Sequence, residues 1–180
     1  MDYLEEKQKQ FLSIFEPFEQ QISNYCRALT GNESDGRDLL QETVLQLYSN
    51  LDRLLKANSP PFYICGVARN IYLKSRRRLK FWVDIEKSGA EHAHANIMSA
   101  ETNIEVQLLY KAIGKLPFKH REALVMFEIM GFSLLEIQQH QGGSLSGVKS
   151  RVARARQSLS EMLLTTEKQT PKTITNTFMP

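Results

Sequence analysis

Residues 133–162 read SLLEIQQHQGGSLSGVKSRVARARQSLSEM, and this stretch decides the fold of the C-terminal part of the chain. Ser133 is suited to cap a short helix that ends at the turn Gly142-Gly143, and Ser144 is suited to cap a longer one. A short helix, a tight glycine turn and a second capped helix predict a helix-turn-helix. The longer helix has a narrow apolar seam with three- and four-residue spacing, formed by Leu145, Val148, Val152, Ala155, Leu159 and Met162.

The second helix of this motif also predicts a surface that binds nucleic acid. On a wheel of about 100° per residue, the face opposite the seam is small and polar. Cations border it on both edges, which suits the major groove of DNA and its phosphates. An ordinary surface helix with scattered charges is the alternative. The face comprises Ser146, Ser150, Ala153 and Gln157, with Lys149 and Arg156 on one edge and Arg151 and Arg154 on the other.

Helical periodicity also continues through the residues before Ser133, and strand signals are almost absent. The fold class is therefore predicted to be all-α. Residues 1–83 predict a three-helix or four-helix bundle, with Pro17 starting or kinking one helix and Ser34 or Asp35 capping the next. Residues 84–103 are rich in Ala, Ser, His and Glu and predict a flexible linker. Residues 104–164 form the second helical domain, and residues 165–180 predict a disordered tail.

Composition excludes several classes of protein. The 180 residues are 42% hydrophobic and 24% charged, with a net charge of +3, as in an ordinary soluble protein. The N-terminus lacks a secretory apolar core, and no apolar run approaches the roughly 20 residues of a membrane span, so we expect a cytoplasmic protein without membrane insertion. Cys26 and Cys65 are interpreted as core residues, and His92 and His94 lack partners at zinc spacing. No catalytic set, cofactor motif or metal cluster is present in the sequence, so we do not expect an enzyme.

A basic run is the second candidate site. Between Arg69 and Lys80 the chain carries six cations and no acid, and Phe62, Tyr63, Phe81 and Trp82 flank the run. Cations neutralise phosphates, and exposed aromatic side chains can stack on unpaired bases. The pattern therefore suits a DNA strand that is being opened. A solvated helix end, where cations complement the helix dipole, is an equally good explanation.

A polar face on a predicted helix is the third candidate site. With Leu40 and Val44 facing inward, Arg37, Asp38, Gln41, Glu42 and Leu45 are expected to face out. An exposed polar face with one exposed leucine can be a docking surface, although a plain amphipathic helix explains the pattern as well.

At these three sites the sequence resembles the extracytoplasmic-function (ECF) sigma factors of bacteria, which belong to the sigma-70 superfamily. Asp35-Gly36-Arg37-Asp38-Leu39-Leu40-Gln41-Glu42-Thr43 resembles region 2.2, and Tyr63-Ile64-Cys65-Gly66-Val67-Ala68-Arg69-Asn70 with the following arginines resembles the promoter-melting segment. Leu116-Pro117 with Arg121-Glu122 resembles region 4.1. Gly131-Phe132-Ser133 with Glu136-Ile137, and Val148-Lys149-Ser150-Arg151 with Arg154-Ala155-Arg156, resemble region 4.2.

The resemblance implies a sigma factor that binds core RNA polymerase through the β′ clamp helices and the β flap, binds promoter DNA, and is controlled by an anti-sigma factor. It implies polymerase docking by Asp35, Asp38, Gln41, Glu42 and Leu45. It implies binding of the melted −10 element by Tyr63, Arg69, Asn70, Lys74, Arg76, Arg77 and Arg78. It implies reading of the −35 element by Ser144, Ser146, Gly147, Lys149, Ser150, Arg151 and Arg154.

The helix-turn-helix departs from the family pattern. Gln138, His140 and Gln141 stand where small or aliphatic residues are usual, and Gly143 and Gly147 stand where Ile or Val and Thr are usual. We therefore expect loose packing around this motif. Two alternatives follow, namely a DNA-binding regulator without polymerase contact and an interaction protein that sequesters an anti-sigma factor.

Overall fold

The computed structural model describes residues 3–86 and 104–169, with side chains for residues 4–79 and 104–165. These ranges contain helices and turns and no strand, which confirms the all-α prediction. The first domain consists of α1 (Tyr3–Phe15), a 3₁₀ turn (Glu16–Phe18), α2 (Glu19–Thr30), α3 (Glu33–Ser49), α4 (Leu51–Leu55) and α5 (Pro60–Glu86). The second domain consists of α6 (Ile104–Lys115), α7 (Phe118–Glu128), α8 (Leu134–Gln141) and α9 (Leu145–Gln169).

Helix α2 lies at the centre of the fold. Tyr25, Cys26, Ala28 and Leu29 on this helix are fully buried. It packs against α3 and α5 of its own domain and against α6 and α7 of the second domain. The buried apolar residues therefore form one cluster that runs through both domains. Pro17 separates α2 from α1 at the 3₁₀ turn, because proline lacks the N–H that a continuous helix would use there.

The start of α3 differs from the sequence prediction. Asn32, rather than Ser34 or Asp35, is the N-cap: its side-chain oxygen accepts the Asp35 backbone N–H at 2.8 Å. The sequence prediction missed this because Ser34 and Asp35 have equally good capping side chains. The buried positions of α3 are Gly36, Leu39, Thr43 and Leu47, while Leu40 and Val44 are only partly buried.

Both cysteines lie in the core, as expected. Cys26 and Cys65 are free thiols and are buried. Burial raises the pKa of the Cys26 thiol to about 12 and also raises that of Cys65. Both thiols therefore stay protonated and unreactive near neutral pH.

The predicted helix-turn-helix is present as α8 and α9. Ser133 and Glu136 form a capping box, in which Ser133 Oγ accepts the Glu136 N–H at 3.3 Å and Glu136 Oε2 accepts the Ser133 N–H at 2.8 Å. Ser144 Oγ accepts the Gly147 N–H at 3.1 Å at the start of α9. Both predicted caps are thus confirmed.

Two predicted boundaries shift. Helix α5 continues to Glu86, into the stretch expected to be linker. Helix α9 continues to Gln169, so the prediction of a disordered tail from residue 165 is wrong for residues 165–169. Thr165 is held within α9 because its hydroxyl donates to the Glu161 carbonyl at 2.8 Å. The remaining linker residues 87–103 and tail residues 170–180 lie outside the described residues.

No helix among the described residues is long and apolar enough to cross a membrane.

We predict that Ser133→Ala destabilises the second domain by about 1 kcal/mol, because the α8 capping box is lost. The hydrogen bonds from Ser133 lower the pKa of the Glu136 carboxyl group in the folded protein. The stabilisation by these hydrogen bonds is therefore fully present above the pKa of Glu136 in the unfolded chain, and it is lost as pH falls through the pKa in the folded protein. The difference between Ser133→Ala and wild type should therefore shrink in acid. Urea unfolding at neutral and acidic pH measures it, with Ser160→Ala, an exposed position on α9, as the control. An equal loss at both pH values contradicts the assignment.

Candidate nucleic-acid interface

The polar face of α3 is exposed as predicted. Asp35, Asp38, Gln41, Glu42 and Leu45 all face solvent, and Leu45 is 68% exposed. The cause is the buried stripe of Leu39, Thr43 and Leu47, which turns the opposite side of the helix outward. An acidic surface with one large exposed apolar side chain is available for a partner.

The basic run lies on the outer part of α5. Five residues of this part of α5 are exposed, namely Asn70, Lys74, Arg76, Arg77 and Arg78. The lysine and the three arginines can therefore reach a phosphate backbone. The side chains of Lys80, Phe81 and Trp82 lie outside the described residues. Tyr63 is half-buried and packs against the core.

Arg69 is placed differently from the other cations of the run. Its side chain is 24% exposed, and its Nε lies 2.7 Å from Oε1 of Glu122 in the second domain. The ion pair therefore joins the first cation of the basic run on α5 to a residue of α7.

Glu122 is a buried carboxylate with partners on two other helices, α5 and α8. Its side chain is fully buried, and besides Arg69 it contacts two residues of α8. His140 Nε2 lies 3.2 Å from Oε1, and Gln141 Nε2 donates to Oε2 at 2.8 Å. A buried carboxylate costs several kcal/mol of desolvation unless charges and hydrogen bonds compensate it, and here they do so on both oxygens.

Gln141 also connects this network to α9, the second helix of the helix-turn-helix. Gln141 Oε1 accepts a hydrogen bond from Arg151 Nη1 at 2.7 Å. The remaining Arg151 nitrogens donate to the Gly142 carbonyl at 3.1 Å and the Gly147 carbonyl at 3.2 Å. Arg151 was expected to bind DNA, but its guanidinium is engaged within the protein, where it braces the turn between α8 and α9.

These contacts explain the unusual residues of the motif, and the expected loose packing is not observed. The His140 side chain is only 5% exposed, and Gln138 Nε2 donates to the Gly143 carbonyl at 2.9 Å. Gly143 has φ +91°, and a Cβ there would lie 3.4 Å from Arg151 Nη2. The turn therefore favours glycine at this position for its backbone conformation.

The outer face of α9 is open to solvent. Ser144, Ser146, Lys149, Ser150 and Arg154 are exposed, while Gly147 is half-buried. Because Val148, Val152 and Ala155 are buried on the opposite side, this small polar face with two cations is presented outward.

Contacts between the two domains were not predicted from the sequence. Arg121 of α7 is buried and donates to the Leu29 carbonyl of α2, to Tyr72 Oη at 3.3 Å and to the Leu116 carbonyl at 3.1 Å. Tyr110 Oη donates to Asn24 Oδ1 at 3.4 Å. The Arg121-Glu122 pair was identified as a motif, but nothing local in the sequence indicates that both residues bind the other domain.

Aromatic pairs line the same interface. Tyr72 of α5 stacks on Phe118 of α7 with ring centroids 5.4 Å apart. Phe62 meets Phe132 edge to face at 5.6 Å and His140 at 5.5 Å. Such pairs add about 0.5–1.5 kcal/mol each beyond the area that they bury.

An apolar groove lies on the second domain between α6, α7 and α9. Its volume is about 490 Å³. It is lined mainly by aliphatic side chains, with Glu128 and Arg156 at its edge, and these include Leu109, Ile113, Leu124, Ile129, Leu159 and Leu163. Arg156 is held there by Glu128, whose Oε1 accepts its Nε–H at 2.6 Å.

Comparison with protein families accounts for both domains. The family model described as Sigma-70 region 2 matches residues 14–81, and the one described as Sigma-70, region 4 matches residues 106–159. The chain belongs to the ECF sigma-70 family. As an ECF sigma factor, it directs RNA polymerase in transcription initiation. Sigma factors are generally non-enzymatic regulators of transcription.

Individual relatives agree with this family. The chain is 29% identical over 143 residues to the ECF RNA polymerase sigma factor EcfG of Rhodopseudomonas palustris, covering 77% of each protein. It is 24% identical over 168 residues to the ECF sigma factor SigW of Bacillus subtilis, covering 87% of this chain and 90% of SigW. A solved structure of the sigma factor RpoE with the anti-sigma factor NepR from Bartonella quintana shares the fold, with a TM-score of 0.69, 21% identity and coverage of 87% and 96%.

Among the described residues of this sigma factor, no group of three or more His, Cys, Asp or Glu side chains could hold a metal ion. His92 and His94, which the sequence analysis considered for zinc, lie outside these residues.

We predict that Arg151→Ala and Lys149→Ala act differently. Arg151→Ala removes three intramolecular hydrogen bonds and should destabilise the second domain by about 1–3 kcal/mol. Lys149→Ala should change stability by less than about 0.5 kcal/mol, yet weaken DNA binding at all sequences and reduce the salt slope by about 1. Thermal unfolding and DNA titration at several salt concentrations measure both effects. An unchanged stability of Arg151→Ala would show that the brace is unimportant.

Proposed function

We propose that this ECF sigma factor divides its task among three surfaces: α3 docks on core RNA polymerase, the basic part of α5 holds the melted −10 strand, and α9 reads the −35 element. The observation that carries the proposal is that all five predicted docking residues on α3 are exposed together, on a helix whose other side is buried. An acidic face with one exposed leucine fits a basic, partly apolar helical partner, as expected for the β′ clamp helices.

The α5 and α9 surfaces support the DNA roles. Lys74, Arg76, Arg77 and Arg78 extend along one exposed helix, where they can neutralise successive phosphates. On α9, exposed Ser146 and Ser150 can enter a groove while Lys149 and Arg154 reach its phosphates. Arg151 contributes by holding α9 in place.

The apolar groove of the second domain is assigned to the β flap. Its lining is mainly aliphatic, so it requires an apolar segment to exclude water. The first and second domains would then contact polymerase at separate points.

An anti-sigma factor is a further proposed partner. The similar sigma factor RpoE of Bartonella quintana was solved in complex with the anti-sigma factor NepR, and the similar protein CnrH was solved with the cytosolic domain of CnrY. Since polymerase and promoter DNA are in the cytoplasm, we place this protein there as well.

Transcription from a reconstituted holoenzyme tests the proposed function. Core polymerase with this protein should start transcripts at defined sites on genomic DNA of the source bacterium, and core polymerase alone should not. Random initiation with and without the protein would reject it and favour a DNA-binding regulator. Sequencing the transcript starts also identifies the promoter elements.

We predict that Asp38→Lys with Glu42→Lys weakens core binding by tenfold or more, because four units of charge change on an interface surface. Leu163→Asp in the groove should also weaken core binding, through loss of apolar contact. The controls are Glu16→Lys with Glu19→Lys, which make the same charge change at exposed positions outside α3, and Leu135→Asp, an exposed leucine outside the groove. Core binding is measured by fluorescence anisotropy. Equal binding of the α3 variant and its control rejects the docking assignment.

A further inference from the structure

The turn between α8 and α9 is not fixed by its own backbone. Gly142 and Gly143 are consecutive glycines with φ values of +73° and +91°. Neither carries a side chain that could pack and hold the turn, and glycine moves between backbone conformations more easily than other residues. The angle at which α9 leaves the motif must therefore be set by side chains outside the turn.

Gln141, the last residue of α8, reaches the turn through an arginine of α9. Its Oε1 accepts a hydrogen bond from Arg151 Nη1 at 2.7 Å. The same guanidinium donates to the Gly142 carbonyl at 3.1 Å and to the Gly147 carbonyl at 3.2 Å. It is thus bonded to the end of α8, to the turn and to the first part of α9. Because the guanidinium is rigid and planar, these bonds fix the three segments relative to one another.

The other end of the Gln141 amide is anchored on α7. Its Nε2 donates to Glu122 Oε2 at 2.8 Å and to the Lys119 carbonyl at 3.0 Å. The amide therefore presents its donor to a carboxylate and its acceptor to the guanidinium of Arg151, as both charges require. A hydrocarbon side chain at this position could make neither contact. Gln141 thus ties the start of α9 to a helix of the core.

We propose that Gln141 is a positioning residue for −35 recognition, which holds α9 at the angle where Ser146 and Ser150 can meet base edges. The proposal rests on the −35 role proposed for α9. A hydroxyl on a short side chain reaches few positions, so a tilt of the helix removes its contacts with bases. The longer side chains of Lys149 and Arg154 can still follow a phosphate. Loss of Gln141 should therefore reduce discrimination between sequences more than it reduces DNA binding in general.

Three variants separate this role from a contribution to folding. Gln141→Leu removes both polar ends of the amide and keeps a side chain of similar size. Gln139→Leu is the matched control, because it makes the same change at an exposed position of the same helix. Gln141→Glu keeps an oxygen for Arg151 but places a second carboxylate beside Glu122. This variant should unfold at a lower temperature than wild type and yet keep its discrimination.

Amide hydrogen exchange in the full chain measures the placement of α9 without polymerase or DNA. The N–H groups of Gly147 and Val148 donate to the hydroxyl and the carbonyl of Ser144, at 3.1 Å in both cases. Gln141→Leu should speed the exchange of both amides by about fivefold or more, because the first turn of α9 loses its brace. Gln139→Leu should match wild type.

Discrimination is measured with the reconstituted holoenzyme on two promoters that differ only in the −35 element, one native and one randomised. The ratio of the two affinities should fall about fivefold or more in Gln141→Leu, as for one mismatched base pair. A variant that is merely less folded would bind both promoters less in the same proportion and would keep the ratio. Gln141→Leu combined with Arg151→Ala should lose no more discrimination than Arg151→Ala alone, because both changes break one contact.

Three results overturn the proposal. Unchanged exchange at Gly147 and Val148 in Gln141→Leu would show that Gln141 does not fix the start of α9. Faster exchange with an unchanged ratio would show that this placement does not govern the reading of the −35 element. Additive losses in the double variant would show that Gln141 does not act through Arg151. The proposed function fails separately, through random initiation by the wild-type holoenzyme, because the exchange measurement requires neither polymerase nor DNA.

Discussion

A buried carboxylate is stable only when opposite charge and hydrogen bonds replace its lost contacts with water. The Glu122 carboxylate has such partners in both domains. Arg69 reaches it from α5, and His140 and Gln141 reach it from α8. Gln141 then carries the network to Arg151. The basic run on α5 and the two helices of the helix-turn-helix, α8 and α9, are thus linked through one buried group. A change at Glu122 should therefore be felt on both proposed DNA surfaces.

Helix α2 gives this network its rigid support. Its fully buried side chains form part of the core of the first domain, and the helix also packs against α6 and α7 of the second domain. The close approach of Gly31 and Gly114 allows the two domains to share apolar surface. The arrangement leaves the acidic face of α3 and the polar face of α9 open to solvent, whereas Arg69 of α5 is paired with Glu122.

Much of the fold could be predicted because the spacing of apolar residues indicates where each helix lies and which of its sides is buried. The apolar seam of α9 from Val148 to Met162, the caps at Ser133 and Ser144 and the buried cysteines all follow from local pattern, and the structure confirms them. Leu145, at the start of the predicted seam, is only partly buried. Local pattern was insufficient where two signals competed, as at the Asn32 cap, and where polar residues continued a helix, as in α9 beyond Thr165.

The sequence by itself determined the helices, the order of the family motifs and the outward faces of α3 and α9, because helical periodicity assigns each residue to a side of its own helix. Only the tertiary structure decided which polar residues pair. His140 and Gln141 depart from the usual helix-turn-helix pattern, and the structure explains them by placing both beside Glu122. In the sequence, nothing distinguishes Arg69 from the other cations of the basic run. In the structure, α7 places Glu122 beside it, and the two residues form an ion pair. The physical reason is that a long-range ion pair leaves no periodic trace in the chain. It depends on the distance between residues that lie far apart in sequence.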